Sequence, residues 1–563
     1  MEVTRRDLLT LAMAAAGASF FTGRSVAEEA RPDNILDFQA LGNVTLLHMT
    51  DSHATLLPVH YREPDTLLPI GDEAGKPPYV TGEALLKLYG FKPGSLEAHA
   101  FSHIDFTELA RRYGRFGGYA HIATLVKRIR AERPGKVLLC DGGDTLQGSA
   151  TSLWTQGRDM LEVINRLGVD VMCPHWEFVF GIDKVKEYFG DKDAKGLFKG
   201  DFVAHNVKDM TWGDPVFKPY VIREAGGVKI GIVGQAFPYV PVSHPRKFVP
   251  DLTFGIQEAN VQAQIDELRG RHKVDLVVLL SHNGYAVDMK LAGRIKGLDV
   301  ILGGHTHDAI PVAQRVGRTL VLQSGAHGKF LSRLDLDVAG GEVKGWRFKL
   351  IPVLSQHLPA DAEMAALIDK LREPFKARLG EVLAVSESLL YRRGNFNGTF
   401  DEVVLDALMK RFDAQVAFTP GFRWGISLLP GQPVTLEDMY SHLALTYPNT
   451  YVREMSGAEV KAIMEDVADN LFNPDPYYRQ GGDMVRVGGL TYVIDPMKPA
   501  GERISDIVVG GKPWDATRKY KVSGWASMND VDGPPAYDVV ADHLRSIKKI
   551  VLPPPDRVKV ARG

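Results

Sequence analysis

The chain has 563 residues, more than one hydrophobic core normally serves, so two or more domains are expected. Its 45% apolar and 24% charged content is that of a soluble globular protein and sets aside a disordered chain. A formal net charge of −2 without a basic tract argues against nucleic acid or an anionic membrane surface as partner, and two cysteines, Cys140 and Cys173, exclude a disulfide framework.

In chain order, the first feature is Thr4-Arg5-Arg6-Asp7-Leu8-Leu9, followed by an apolar run to about Phe21. The run is too short to span a bilayer and ends near Ser25-Val26-Ala27, a small-residue cleavage pattern. Paired arginines ahead of it resemble a twin-arginine export signal rather than an ordinary secretory one, so residues 1–27 are expected to be removed and the mature protein to be periplasmic. That route carries folded proteins and so allows metal loading before export.

From about residue 41 to 355, short apolar runs alternate with helical stretches such as His121–Arg133. The runs are Val44–Met49, Val137–Cys140, Val169–Cys173, Val228–Val233, Val274–Leu280, Val300–Leu302 and Leu320–Gln323. Runs without polar alternation predict strands buried on both faces, hence an α/β domain whose active residues lie beyond the strand ends. Residues 61–105, rich in Pro and Gly, are expected to form a long loop. Residues 361–380 read as a connecting helix within a linker at 356–384. The region 385–563 mixes helices with hairpin signals such as Val509-Gly510-Gly511-Lys512 and is expected to be a second, α+β domain.

Five polar clusters sit at the ends of the apolar runs: Thr50-Asp51-Ser52-His53, Asp141-Gly142-Gly143-Asp144-Thr145, Pro174-His175-Trp176-Glu177, Ser281-His282-Asn283 and Gly303-Gly304-His305-Thr306-His307-Asp308. A lone strand-end histidine is usually just a satisfied polar group. Five clusters in this order instead assemble Asp51, His53, Asp144, His175, His282, His305 and His307, the mixed carboxylate and imidazole set that a pair of divalent first-row metals requires. The expected geometry is extended chain, in which Asp51 and His53, and likewise His305 and His307, face one way because they lie two residues apart.

The order DxH, GD, an x-E element, H and GHxH resembles the metallophosphoesterase signature, and the layout of the whole mature chain resembles the exported 5′-nucleotidases. The resemblance implies a four-layer α/β sandwich with a smaller 5′-nucleotidase-like C-terminal domain. It also implies that Asp51, His53 and His307 serve one metal, that His282 and His305 serve the other, and that Asp144 bridges. In those enzymes the third element reads G-N-H-E-F-D, whereas this chain has His175-Trp176-Glu177-Phe178-Val179. His175 then replaces the ligand Asn, Trp176 the catalytic His and Val179 its supporting Asp. Together with Leu56-Leu57-Pro58-Val59-His60-Tyr61-Arg62-Glu63-Pro64, this resembles the SoxB thiosulfohydrolase family of bacterial sulfur oxidation.

That family resemblance implies two manganese ions, with zinc or iron as alternatives, and SoxYZ as the partner. It implies hydrolysis of the terminal sulfonate from a cysteine-bound thiosulfonate on that carrier's C-terminal arm by a hydroxide held at the binuclear site. A persulfide leaves readily, so the family's His–Asp acid pair is less needed than for an alkoxide. Trp176 and Arg423 are the catalytic candidates. Arg393, Arg423 and Trp424 stand where 5′-nucleotidases supply substrate contacts, and a guanidinium matches a tetrahedral oxyanion with paired donors. The competing readings are a periplasmic 5′-nucleotidase-like phosphoesterase, and a metal-stabilised binding protein without turnover.

Overall fold

Residues 36–561 are described in the computed structural model, and the export-signal reading of residues 1–27 lies outside them. The first part of the chain supplies strands β1 (Val44–Met49), β2 (Val137–Asp141), β3 (Val171–Met172), β4 (Asp201–Phe202), β5 (Tyr220–Ala225) and β6 (Val228–Gln235). It continues with β7 (Leu276–Ser281), β8 (Val300–Gly303), β9 (Gln314–Val316), β10 (Thr319–Gln323), β11 (Phe330–Ala339) and β12 (Glu342–Pro352). They form two six-stranded sheets, ordered β12-β11-β1-β2-β3-β4 and β9-β10-β8-β7-β6-β5. Within each sheet the central strands run parallel; antiparallel strands close both edges of the second sheet and the β12 edge of the first, whose other edge, β4, is parallel.

The period of two along a strand divides each apolar run between two cores. Val44, Leu46, Ile230, Ile232, Val278, Leu280, Val300 and Leu302 meet between the sheets, with Cys140 and Cys173 among them. Leu47, Met49 and Leu139 face outward onto the helices Tyr119–Glu132 and Arg158–Leu167. Val233, Val277, Leu279, Ile301 and Val321 face the helix Glu258–Gly270 on the other side. The result is the expected four-layer α/β sandwich, and burial on both faces is why these runs lack polar alternation. Both cysteines are buried free thiols, and burial pushes both thiol pKa values up.

The segment 61–105 differs from the loop expected. It contains helices Gly82–Tyr89 and Leu96–Phe101, and Phe106–Tyr113 follows. Each is only about two turns long, too short to show periodicity, and tertiary packing stabilises them rather than propensity. Gly90, at φ 68°, ends the first, and the Ser95 side chain accepts from Ala98 N–H to begin the second. The segment also straps the two halves together. Arg62 N–H donates to Ser427 Oγ at 3.1 Å, Leu68 N–H to Asn395 Oδ1 at 2.6 Å, and Arg479 Nη1 to Glu73 Oε1 at 2.7 Å.

The connector also departs from a single helix. Ala362–Arg372 is capped by the Asp361 carboxylate, and a 3-10 turn at Glu373–Phe375 containing Pro374 interrupts it before Lys376–Leu379. From Val382 onward the chain forms sheets of three, four and four strands with helices Thr399–Phe412, Leu436–Leu443, Gly457–Phe472 and Ala536–Ile547. The Gly510-Gly511 hairpin is present, with Val509 opposite Lys512. Among the described residues no helix is long and apolar enough to cross a membrane.

Candidate metal centre

Parallel strands end on one edge, so the loops after β1, β2, β3, β7 and β8 open on the same side of the sandwich. The seven ligand candidates converge there as two groups that share one residue. Asp144, His175, His282 and His305 form one; Asp51, His53, Asp144 and His307 form the other, and in each the ligand atoms all lie within 4.8 Å of one another. Asp144 therefore stands between them. Its carboxylate lies 3.0 Å from His175 Nδ1, 3.1 Å from His282 Nε2 and 3.8 Å from His53 Nε2.

The backbone reason for this convergence is not the extended chain expected from the sequence. Asp51, His53, Asp144, His305 and His307 have φ of 52°, 44°, 59°, 76° and 59°, the left-handed region that non-glycine residues rarely adopt. Each such residue costs about 1–3 kcal/mol, and strain of this kind persists where the surrounding structure enforces a site. Gly304 permits the close approach, because a Cβ there would stand 2.4 Å from Thr50 Oγ1 and 3.1 Å from His282 Nδ1.

Glu177 organises the β2 and β3 loops. Its fully buried carboxylate accepts from Thr145 N–H and His175 N–H, both at 2.8 Å, and from Leu146 N–H at 3.2 Å. Trp176 contributes its backbone N–H to Asp144 Oδ1 at 2.8 Å. Its indole packs among His244, Phe422 and Trp424, at ring-centroid distances of 4.5, 5.5 and 4.9 Å.

The donor chemistry fits two cations. His53 Nε2 and His307 Nε2 face each other at 3.0 Å, as do His175 Nδ1 and His282 Nε2. Two bare imidazole nitrogens at that distance repel, and two protonated ones repel more; a shared cation relieves both. Burial lowers the His175 pKa to about 4 despite the pull of Asp144. Burial also acts downward on His282, but Asp144, Asp51 and the Gly142 carbonyl overcome it and hold that imidazole up at about 10. Burial drives the Asp51 carboxyl upward, whereas His175 and His282 outweigh the burial of Asp144 and hold it well down.

The second domain covers this centre. Arg393 is buried, donates from Nη2 to Thr306 O at 2.9 Å, and lies 3.3 Å from Asp308 and 3.5 Å from Asp483. Arg423 donates to Gly482 O at 2.6 Å and lies 3.5 Å from Asp483. Nε and Nη1 of both arginines are buried without a hydrogen-bond partner, as is Trp424 Nε1. The Arg423 side chain lines a cleft with His305, Thr306, Asp308, Asn283 and Tyr285. Trp424 is buried, 5.2 Å from the His53 ring.

Two functional side chains were missed by sequence reasoning. His327 lies in Ser324-Gly325-Ala326-His327-Gly328, a sixth polar cluster after an apolar run. Its Nε2 accepts Gly425 N–H at 3.2 Å, and its Nδ1 meets Thr55 Oγ1 at 2.8 Å. Gln147, three residues after Asp144, meets His53 Nδ1 through Oε1 at 3.2 Å. Their signal was position beyond a strand rather than residue type.

A solved structure of the Thermus thermophilus sulfate thiohydrolase SoxB in complex with glycerol matches with a TM-score of 0.89 and 39% identity, over 93% of this chain and 98% of that one. The chain belongs to the SoxB family. The model of the 5′-nucleotidase C-terminal domain matches residues 384–533 of this chain. The protein UshA of Yersinia enterocolitica is 24% identical over 76% of this chain and 84% of its own length. The 5′-nucleotidase of Bos taurus is 25% identical over 70% of this chain and 72% of its own length. A 5′-nucleotidase precursor, also from Thermus thermophilus, shares the fold, with a TM-score of 0.72, 22% identity, and coverage of 92% of this chain and 100% of that one. SoxB membership and the two ligand groups make this chain a metal-dependent hydrolase of the phosphoesterase-like class.

Proposed function

We propose that the protein is a periplasmic thiosulfohydrolase that releases sulfate from a cysteine-bound thiosulfonate on the SoxYZ carrier. The observation that carries this reading is the wall beside the ligands. Where the 5′-nucleotidases' His–Asp pair would stand, Trp176 and Val179 are buried in an apolar cluster with Trp424. Neither side chain can pass a proton to an alkoxide, whereas a persulfide leaves without that help. The match to a sulfate thiohydrolase supports the same substrate class.

Asp51, His53, Asp144, His175, His282, His305 and His307 would hold two divalent ions, with manganese the metal that the family resemblance favours. When bound, the ions supply Lewis acidity, lowering the pKa of water and neutralising charge that builds on the sulfonate. The remaining work falls to the protein. The Nη1 donor of Arg423, buried without a hydrogen-bond partner, orients the sulfonate oxygens, and Arg393 adds positive charge behind the Thr306–Asp308 turn. The indole of Trp424 and the packed aromatic wall exclude bulk water. The bond between the sulfane and sulfonate sulfurs breaks, water supplies one oxygen to sulfate and gives up its two protons, and the electron pair remains on the carrier as a persulfide anion.

The test is to load the mature protein with manganese and offer a peptide ending in a thiosulfonated cysteine, with a 5′-nucleotide in parallel. Sulfate without phosphate supports the reading. Phosphate without sulfate overturns it in favour of a nucleotide phosphoesterase.

A further inference from the structure

The ring nitrogens of these ligands that point away from the ligand clusters are not treated alike, and two of them lead out of the first domain. His282 Nδ1 meets the Gly142 carbonyl, a group of its own domain. His175 Nε2 and His307 Nδ1 have no hydrogen-bond partner. His53 and His305, one from each ligand group, lead instead into the second domain.

The path from His53 runs through Gln147, whose Nε2 donates to the Ala444 carbonyl at 2.7 Å. Only the amide nitrogen of Gln147 is able to donate to a carbonyl, so its Oε1 must face His53 Nδ1, at 3.2 Å. Nδ1 then carries the proton, and Nε2 is left bare toward Asp144 and His307. The path from His305 is direct. Its Nε2 donates to the Gln480 carbonyl at 3.0 Å, which leaves Nδ1 as the ligand atom. Gly481 makes that approach possible: its φ is +80°, and a Cβ there would stand 2.3 Å from His305 Nε2.

We infer that the second domain supplies a backbone acceptor to the outer shell of each metal site, directly to His305 and through Gln147 to His53, so that metal retention and closure of the two domains are one coupled equilibrium. The inference rests on the two-metal reading of the ligand groups. Each acceptor fixes the tautomer and the ring plane of one ligand, and loss of such a partner typically costs about 10- to 100-fold in metal affinity. Reciprocity follows from linkage: if the closed domain tightens the ions, the ions must hold the domain closed by the same factor. The Tyr477–Asp483 loop thereby has a role that nothing in its sequence indicates.

Two measurements test this. The first is amide hydrogen exchange on the full-length protein with manganese bound and after its removal by chelator. Exchange in segments 442–446 and 478–482 should accelerate about tenfold or more when the ions leave, while strands β7 and β8 keep their protection. The second is the rate of manganese loss to excess chelator in Gln147→Leu and Gly481→Ala, each expected to rise at least about tenfold. Unchanged exchange in both segments on metal removal overturns the inference, and so does wild-type metal loss in both variants. The exchange experiment needs no variant, so it decides even if a substitution fails to fold. Failure of the two-metal reading is separate and shows in the wild type alone, as fewer than two tightly held ions per chain.

Discussion

His327 offers the sharpest prediction about how the second domain's substrate loop is held. Its Nε2 accepts Gly425 N–H at 3.2 Å, which requires a neutral ring with the proton on Nδ1, directed at Thr55 Oγ1 at 2.8 Å. Burial, with some help from His53, depresses its pKa well below the usual range, so it stays in that form at any working pH. The loop it holds carries Arg423 and Trp424. His327→Ala removes the acceptor and leaves the Gly425 N–H buried and unpaired, at a cost of about 1–3 kcal/mol. If that energy appears as misplacement of Arg423, kcat/KM for the thiosulfonated peptide falls about 5- to 150-fold. His327→Gln offers an oxygen to the same N–H and should recover most of the loss, at similar backbone strain since both residues sit at the φ of 55° seen for His327. Steady-state kinetics with metal content measured alongside is the assay. Wild-type kcat/KM in His327→Ala, or a loss explained wholly by missing metal, refutes the reasoning.

Asp144→Asn weakens the one carboxylate common to both ligand groups, so metal content by elemental analysis should drop below one ion per chain rather than from two to one. Glu177→Gln turns an amide NH₂ against backbone donors that now face a carboxylate, with an expected cost of about 3–5 kcal/mol and loss of metal affinity before loss of fold. Arg423→Met should raise KM for the thiosulfonated peptide at least about tenfold, with Arg423→Lys intermediate because an ammonium lacks the paired donors. The metal-free protein should bind manganese more tightly as pH rises, because His282, held up near 10, must lose its proton to become a ligand. A folded-state pKa above the unfolded value near 6.5 means its contribution to apo stability is fully present below pH 6.5 and is lost as pH rises through 10. Calorimetry near pH 7.5 in buffers of different ionisation enthalpy should therefore show net proton release on metal binding, and no buffer dependence would contradict this.

Much of the sandwich was legible because its strands are buried on both faces. Val44–Met49 reads as a strand from composition alone and is one in the structure. The ligands were legible because each follows such a run. Their geometry was not: the DxH and HxH pairs converge through left-handed backbone, which no side-chain period reports. The helices within 61–105 escaped because each is too short for its pattern to emerge and is held by packing against its neighbours and against Phe116, Phe330, Leu350 and Leu354 of the first domain. Gln147, His327 and Gln480 escaped for a related reason. Their contributions come from a hydrogen bond across the domain boundary, and in Gln480 from a backbone carbonyl that any residue would supply.

The most direct test of the central claim follows the oxygen. The manganese-loaded protein is given the thiosulfonated peptide in water enriched in oxygen-18, and the released sulfate and the peptide are weighed by mass spectrometry. The sulfate should carry one oxygen from water, and the peptide should retain one extra sulfur as a persulfide. Release of intact thiosulfate, or sulfate without solvent oxygen, would contradict it.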